Sequence, residues 1–297
     1  FQQQKEPDVP YVPTPEEVVE KMLAVAGVGE DDVLYDLGCG DGRIIITAAK
    51  EFGCRGVGID IDPERIRESR TNAANEGVED RVEFYQMDLF EADISEATVV
   101  TLYLLTEVNL RLRPKLLREL RPGTRVVSHD FDMGKWRADK EAFVEDDWEM
   151  HSIFFWIIPA NASGTWEWDM PTGTENKKYT LKLQQKFQQV TGIATEGSLF
   201  VPVSIREIKI CGNTLQFALE RKQRRQKERF LFEGELIGHS VVGFVKKEGS
   251  TRVMDWKAKR NPSTQTPIDN SVQDVIYVEL LHVQMAHHAL EAVRKCQ

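Results

Sequence analysis

The chain has 297 residues, 41% of them apolar, and a formal net charge of −10. That leaves room for one large domain or two modest ones, and no run approaches the ~20 apolar residues that a membrane span needs. An acidic balance also argues against a general nucleic-acid binder, whose footprint is basic. The first residue is Phe1 rather than Met, which suggests that a signal peptide, an anchor or a trimmed segment preceded it. FQQQKEPDVPYVP is proline-rich and aperiodic and reads as an extended arm. TPEEVVEKMLAVAGV then starts a helix, with Thr14 as N-cap, Pro15 at the first helical position and Glu17 closing a capping box.

From residue 32 to about 133, strand-like and helical runs alternate. VLYDL, GVGID, VEFYQ, ATVVTLYLL and TRVVSHDF read as strands; GRIIITAAKEFG, PERIRESRTNAANEG and RPKLLRELRPG read as helices between them. Short, nearly continuous apolar strands separated by helices mean βαβ units and a parallel sheet covered on both faces. WEMHSIFFWIIP reads as a further strand closing that sheet.

After Pro159 the period changes. SGTWEWD, YTLKLQQKFQ, TGIAT, SLFVPVS, TLQFALE, FLFEGEL and SVVGFVKK alternate polar and apolar residues and are broken at Gly or Asn. These features predict a second, antiparallel domain, a small barrel or sandwich. RKQRRQKER, Arg221 to Arg229, reads either as a solvated hairpin tip or as a docking patch for an acidic partner. A linker and a C-terminal helix from SVQDVIYVELLHVQMAHHALEAVRK complete the expected organisation: 1–159, 162–260 and 261–297.

The four cysteines show neither CxxC spacing nor the density of a disulfide framework. His282, His287 and His288 on the tail are not spaced as a one-face ligand pair, so no metal site is expected. Trp136, Trp156, Trp166 and Trp168 read as packing residues near the domain junction.

The strongest signal is DVLYDLGCGDGR, a buried strand running into a glycine turn and a helix. Such a turn cradles an anion or a cofactor. A dinucleotide fingerprint would need glycine where Arg43 stands, and no Walker lysine follows. Instead the run is DxGxGxG, from Asp36 through Gly38, Gly40 and Gly42. Glycines let a backbone pass close under a ligand. Asp36 suits a cationic group, Asp60 at the end of the second strand suits ribose hydroxyls, and Asp88 after the third strand sits where an adenine edge would lie. Amino acid, ribose and adenine together describe S-adenosylmethionine better than NAD, and Asp41 in the turn adds to the objection against a pyrophosphate.

DLGCGDGR, GVGIDID and DLF, in order, resemble the three motifs of class I S-adenosylmethionine-dependent methyltransferases. That resemblance implies a Rossmann-like α/β domain, with Asp36, Gly38, Gly40, Asp41, Asp60, Asp88 and Leu89 around the cofactor. PYVPTPEEVVEKML and VVTLYLLTEVNLRLRPKLLRELRPGTRVVSHDF further resemble the lysine methyltransferases of the mitochondrial ATP synthase c-ring protein and the adenine nucleotide translocase, with their prokaryotic relatives. The resemblance covers roughly residues 10 to 136, and implies that Tyr11 and Thr14 border the cofactor and substrate edge. The β domain and helical tail depart from that family.

Methyl transfer is an in-line displacement that depends on holding nucleophile and methyl close and aligned. Tyr103, at the end of the fourth strand, is the candidate catalytic residue at the channel lip; packing beside a helix is its alternative. His129 and Asp130 end the fifth strand, in a structural role or beside the pocket. The function expected is S-adenosylmethionine-dependent protein lysine N-methylation. The alternatives are a small-molecule methyltransferase, or a cofactor-binding module whose β domain grips a partner. A protein substrate, no nucleic acid and no membrane span within this chain are expected, with the oligomeric state open. The expected compartment is the cytoplasm; the alternative is export or tethering through the removed segment.

Overall fold

The computed structural model describes residues 7–262 apart from 147–148, 173–174 and 224–225. The expected C-terminal helix lies outside the described residues. The chain divides into two compact units, Phe1–Ile158 and Pro159–Gln297.

In the first unit, seven strands form one sheet in the order β3-β2-β1-β4-β5-β7-β6. They are β1 (Val33–Leu37), β2 (Arg55–Asp60), β3 (Val82–Gln86), β4 (Val99–Leu102), β5 (Arg125–His129), β6 (Lys140–Glu145) and β7 (Met150–Ile157). The first five are parallel, and β7 runs antiparallel to both β5 and β6. Every residue of β1 and β4 is buried, as a sheet covered on both faces requires. β6 was not anticipated: KEAFVE is short, mostly exposed and charged, the usual composition of an edge strand.

The helices are α1 (Glu16–Ala26), α2 (Arg43–Phe52), α3 (Pro63–Glu76) and α4 (Thr106–Glu119). α3 carries the expected start signals, with Pro63 in its first turn and the Asp62 side chain accepting from Glu64 N–H. α1 corrects the sequence reading by one residue. Its N-cap is Pro15, whose backbone is extended, and no side chain caps the helix. The Thr14 hydroxyl is buried instead, 3.4 Å from His129 Nδ1.

Strand order reverses between β1 and β4: the chain leaves β1 for β2 and β3 on one side, then returns to pair β4 on the other. This switch point leaves a crevice at the carboxyl ends of β1 and β4, where ligands of open α/β sheets bind.

The second unit settles the choice between barrel and sandwich. β8 (Gly164–Thr172), β9 (Glu175–Lys186), β10 (Gln189–Glu196), β11 (Val201–Cys211), β12 (Thr214–Gln223), β13 (Gln226–Ile237), β14 (Ser240–Lys247) and β15 (Val253–Arg260) close into an antiparallel barrel. Closure is made by Lys259 and Arg260 of β15 against Glu167 and Trp166 of β8. The period-two residues point inward: Tyr179, Leu181 and Leu183 of β9 and Leu215, Phe217 and Leu219 of β12 are all buried. Eight strands give an interior just wide enough for side chains to fill. Here Phe217 stacks on Phe232 at 4.7 Å between ring centroids, and Trp168 meets Trp256 edge-on at 5.8 Å.

The four tryptophans therefore belong to separate clusters. Trp136 and Trp156 pack together at 5.8 Å in the first unit, while Trp166 and Trp168 belong to the barrel core. Cys39 and Cys54 are buried free thiols. No helix among the described residues is long and apolar enough to cross a membrane.

Candidate functional site

The turn between β1 and α2 shapes the crevice. Gly38, Gly40 and Gly42 all have left-handed backbones, with φ of 90°, 52° and 82°, a region that side chains with a Cβ avoid. All three are also fixed by contact: a Cβ on Gly42 would lie 2.8 Å from Phe84 Cε1. A Cβ on Gly40 would lie 2.5 Å from Tyr11 Cε2, and one on Gly38 would lie 2.9 Å from Leu104 Cδ2. The N-terminal arm thus crosses directly over the turn, which explains the position of the Tyr-Val-Pro segment. The Arg65 guanidinium lies over the Tyr11 ring at 4.6 Å.

Asp36 sits on fully buried β1, and parallel register places Thr101 of β4 beside it. Thr101 Oγ1 donates to Asp36 Oδ1 at 2.8 Å; the Asp36 side chain has no second hydrogen bond among the described residues. Burial pushes its carboxyl up to about 7, against the lowering effect of the Thr101 bond and with help from the charges of Asp60 and Asp41. A buried carboxylate in this position lacks a counter-charge from the protein, which is the condition a cationic ligand relieves.

Asp60 holds the turn in place. Its Oδ2 accepts from Gly40 N–H at 2.9 Å and its Oδ1 from Asp62 N–H at 2.9 Å. Each oxygen keeps a further lone pair for a hydroxyl. Asp88 Oδ1 accepts from Phe90 N–H at 3.0 Å, which orients the residue at the start of its loop.

Asp41 lies at the crevice wall and is itself held by a neighbour. Arg43 grips its carboxylate, with Nη2 at 2.6 Å from Oδ2 and Nε at 3.0 Å from Oδ1. Burial raises the Asp41 carboxyl, but the Arg43 bonds and charge overcome that and hold it below the usual range. Arg43 also donates through Nη1 to the Thr14 carbonyl at 2.9 Å. Arg43 and Arg65 are the residues that sequence reasoning missed: Arg43 registered only as the residue breaking a dinucleotide fingerprint.

A cavity of about 190 Å³ opens among these groups. Tyr11, Thr14, Asp36, Gly38, Gly40, Asp41, Asp60, Asp88, Leu89 and Tyr103 all line it. Tyr103 follows β4 directly and its ring is clamped, stacked on His129 at 3.8 Å and facing Phe131 at 6.1 Å. Burial, with the charges of Asp130 and Glu149, raises its phenol above the ordinary tyrosine value, so it remains a neutral hydroxyl in the working range.

Behind Tyr103 lies a buried cluster. His129 Nε2 lies 3.0 Å from His151 Nδ1 and 3.2 Å from Asp130 Oδ2, while His151 Nδ1 lies 3.0 Å from the same oxygen. His151 Nε2 reaches Asp146 Oδ2 at 3.2 Å. Burial lowers His129 to about 4, against the opposing charge of Asp130. His151 is raised, because its hydrogen bonds to Asp130 and Asp146 outweigh burial. His129 and Asp130 thus belong to a layer behind the cavity wall.

Residues 36–140 match the family model described as the ANTKMT methyltransferase domain. A protein-lysine N-methyltransferase of Saccharolobus islandicus (strain REY15A) is 54% identical over 153 residues, 51% of this chain and 95% of that protein. The adenine nucleotide translocase lysine N-methyltransferase of Mus musculus is 33% identical over 130 residues, 43% of this chain and 56% of that enzyme, so the chain spans just over half the mouse enzyme's length. Among solved structures, an RNA methyltransferase from Salinibacter ruber in complex with S-adenosyl-L-homocysteine is 54% identical, with a TM-score of 0.48, covering 55% of this chain and 99% of that one.

Proposed function

We propose that this chain, which belongs to the protein-lysine N-methyltransferase family of its Saccharolobus relative, transfers a methyl group from S-adenosylmethionine to a lysine amine of a protein. The observation that carries the cofactor reading is the fully buried Asp36 carboxyl, raised to about 7 by burial, beside a cavity bounded by the glycine turn. Family membership carries the acceptor reading. When bound, the cofactor supplies an electrophilic methyl group on a sulfonium.

The chain's own groups divide the remaining work. Asp36 faces the cationic amino-acid portion, Gly38 and Gly40 let the backbone approach it, Asp60 accepts from the ribose hydroxyls, and Asp88 and Leu89 border the adenine. Asp41 acts through Arg43, tying the turn to the Thr14 backbone. Tyr11 and Thr14 close the outer edge. Tyr103 lines the acceptor path, where its clamped ring and neutral hydroxyl orient an amine arriving from outside.

A lysine must lose its proton before it attacks, from a free value near 10.4, and a site that excludes water favours the neutral amine. Alignment then supplies most of the acceleration. The reading assigns the α/β unit, to about residue 159, as the catalytic domain and the barrel, residues 162–260, as an accessory domain. It places the protein in the cytoplasm. The acidic chain and the family relation support a protein acceptor over nucleic acid.

The test is incubation with methyl-labelled S-adenosylmethionine and cell extract, followed by mass spectrometry of the products. Methylated lysines on protein are expected. Label confined to RNA, metabolites or protein carboxylates would overturn the acceptor; no label combined with no cofactor binding would overturn the whole reading.

A further inference from the structure

We propose that His129, His151 and Asp130 form a binding site for a divalent transition-metal ion, with zinc as the best match to its donors. His129 and Asp130 end β5 and lie just beyond it, and His151 comes from the adjacent antiparallel strand β7. Their three facing atoms, His129 Nε2, His151 Nδ1 and Asp130 Oδ2, are mutually 3.0, 3.0 and 3.2 Å apart. For metal–ligand bonds of roughly 2.0–2.1 Å, neighbouring donors are separated by roughly 2.9 Å in an octahedral shell and roughly 3.4 Å in a tetrahedral one. The triangle falls between those limits.

Hydrogen bonding alone does not account for it. While Asp130 is a carboxylate it only accepts. If both facing ring nitrogens carry protons, two N–H groups oppose each other across the 3.0 Å edge. If either is bare, its lone pair opposes the carboxylate. Every tautomer leaves one edge setting like against like. A cation in front of the triangle gives all three lone pairs one positive charge to face, which outweighs the repulsion along the edges.

The atoms pointing away from the triangle already have partners. His151 Nε2 faces Asp146 Oδ2 at 3.2 Å, His129 Nδ1 faces the Thr14 hydroxyl at 3.4 Å, and Asp130 Oδ1 accepts from Ser152 N–H at 2.7 Å. Such outer partners fix ring orientation and tautomer in metal centres, and a carboxylate behind a ligating histidine is a common form. Asp130 is also held at φ 56°, a conformation a non-glycine residue adopts at a cost and one that clusters at ligand sites. Both rings are almost completely buried, while Asp130 is 29% exposed at its side chain, which leaves an approach for the ion. Two imidazoles and one carboxylate suit zinc. The ion would fasten β5 to β7 and, through His129, fix the Tyr103 ring. This site is independent of the methyl-transfer reading.

Full-length protein, dialysed against a chelator, should bind one equivalent of Zn²⁺ by calorimetry and give visible ligand-field bands with Co²⁺. His151→Ala and Asp130→Asn should lose that equivalent, and Asp146→Asn should weaken it by roughly 10–100-fold. His287→Ala should leave it unchanged. Because a triad variant can fail to fold, zinc-edge X-ray absorption of the wild type at one equivalent provides a separate decision, with two imidazoles and oxygen expected in the shell. Absence of binding by wild type, a shell of other composition, binding that survives in folded triad variants, or loss in the tail variant would each overturn the site.

Discussion

In the α/β unit, strands end in polar groups that face a cavity, and one of them, Asp36, is buried without a counter-charge. In the barrel, the equivalent interior space is filled: Trp168, Phe217, Phe232 and Trp256 contact one another through their rings at 4.7 to 6.1 Å. The Tyr179 hydroxyl, at the margin of that core, is satisfied by Glu196 at 2.9 Å and Arg221 at 3.1 Å. The first interior retains unpaired charge for a ligand, while the second has converted its volume into stability. The filling is apolar rather than polar-satisfied: the Trp168 and Trp256 indole N–H groups in that core lack a partner among the described residues.

The largest expected effect tests that division. Phe217→Ala removes a fully packed ring and should destabilise the barrel by about 3–5 kcal/mol. If the α/β unit folds on its own, calorimetric scanning will show one transition falling steeply while S-adenosylmethionine affinity at the other unit stays at the wild-type value. A single transition that drops as a whole, with cofactor binding lost alongside it, would break the comparison by joining the two units energetically. The segment from Ala160 to Ala162 is not an exposed linker that a protease would cut first: both alanines belong to the barrel core, and Ala162 N–H donates to Gln185 Oε1 at 2.7 Å.

Next in size is the loss of Asp60. Asp60→Ala removes the acceptor for Gly40 and Asp62 N–H as well as the proposed ribose contact, and should reduce cofactor affinity by about 1.5–3 kcal/mol, roughly 10–150-fold. Thermal stability of the barrel should not change. Unaltered affinity by calorimetry would remove Asp60 from the ligand site and leave it as a brace for the turn.

Asp36 provides a pH test. Its carboxyl is raised to about 7 in the folded chain by burial, against about 3.9 when unfolded. The native state therefore binds the proton more tightly than the unfolded state. In the ligand-free protein, this group's contribution to stability is greatest below about 4, declines as pH rises towards 7, and is level above that. A cationic ligand needs the ionised form, so cofactor affinity should change in the opposite direction, rising by up to roughly tenfold per pH unit until about 7. Asp36→Asn should flatten the profile. A wild-type profile that is already flat from about pH 5 to 8 would detach Asp36 from the ligand's positive charge.

How much of this was legible follows from where the signal lies. The β1–α2 turn was readable because its chemistry is local: an acid, three glycines and a second acid at the next strand end lie in two short segments. The barrel was readable as antiparallel β from its alternation, but closure depends on β15 meeting β8, and pairing of strands so distant along the chain has no local signature. Thr14 was misread as a cap because a good capping residue before Pro is a local cue. The tertiary contact with His129 prevailed over it. The His129–Asp130–His151 cluster was half legible: His129 and Asp130 stood out at a strand end, but that His151 of the closing strand meets them depends on the register of β5 against β7, which the sequence does not spell out.

The smallest effect expected concerns the basic run at the β12–β13 hairpin, and it asks whether the barrel's exterior recognises anything. The run is partly neutralised within the barrel. Arg221 pairs with Glu228 at 2.7 Å, Lys227 with Glu220 at 2.9 Å and Arg229 with Glu207 at 2.6 Å. Arg221 also donates to Tyr179, and its side chain is only 11% exposed, so reversing its charge would damage the barrel and confuse the result. Lys227 is the cleaner probe, with its side chain 63% exposed. Its partner Glu220 is only 11% exposed and also faces Arg206 and Arg229, so Lys227→Glu should lower the barrel's melting temperature slightly, by the worth of a partly exposed pair, about 1 kcal/mol. If the hairpin docks an acidic protein surface, the same variant should raise KM for the protein substrate at low salt, leave kcat alone, and converge with wild type as ionic strength brings the screening length below about 10 Å. Lys257→Glu, on β15, supplies the control for net charge. Equal behaviour of the two variants would mean that the hairpin is an ordinary solvated turn. The barrel would then act on catalysis, if at all, through another part of its outer face.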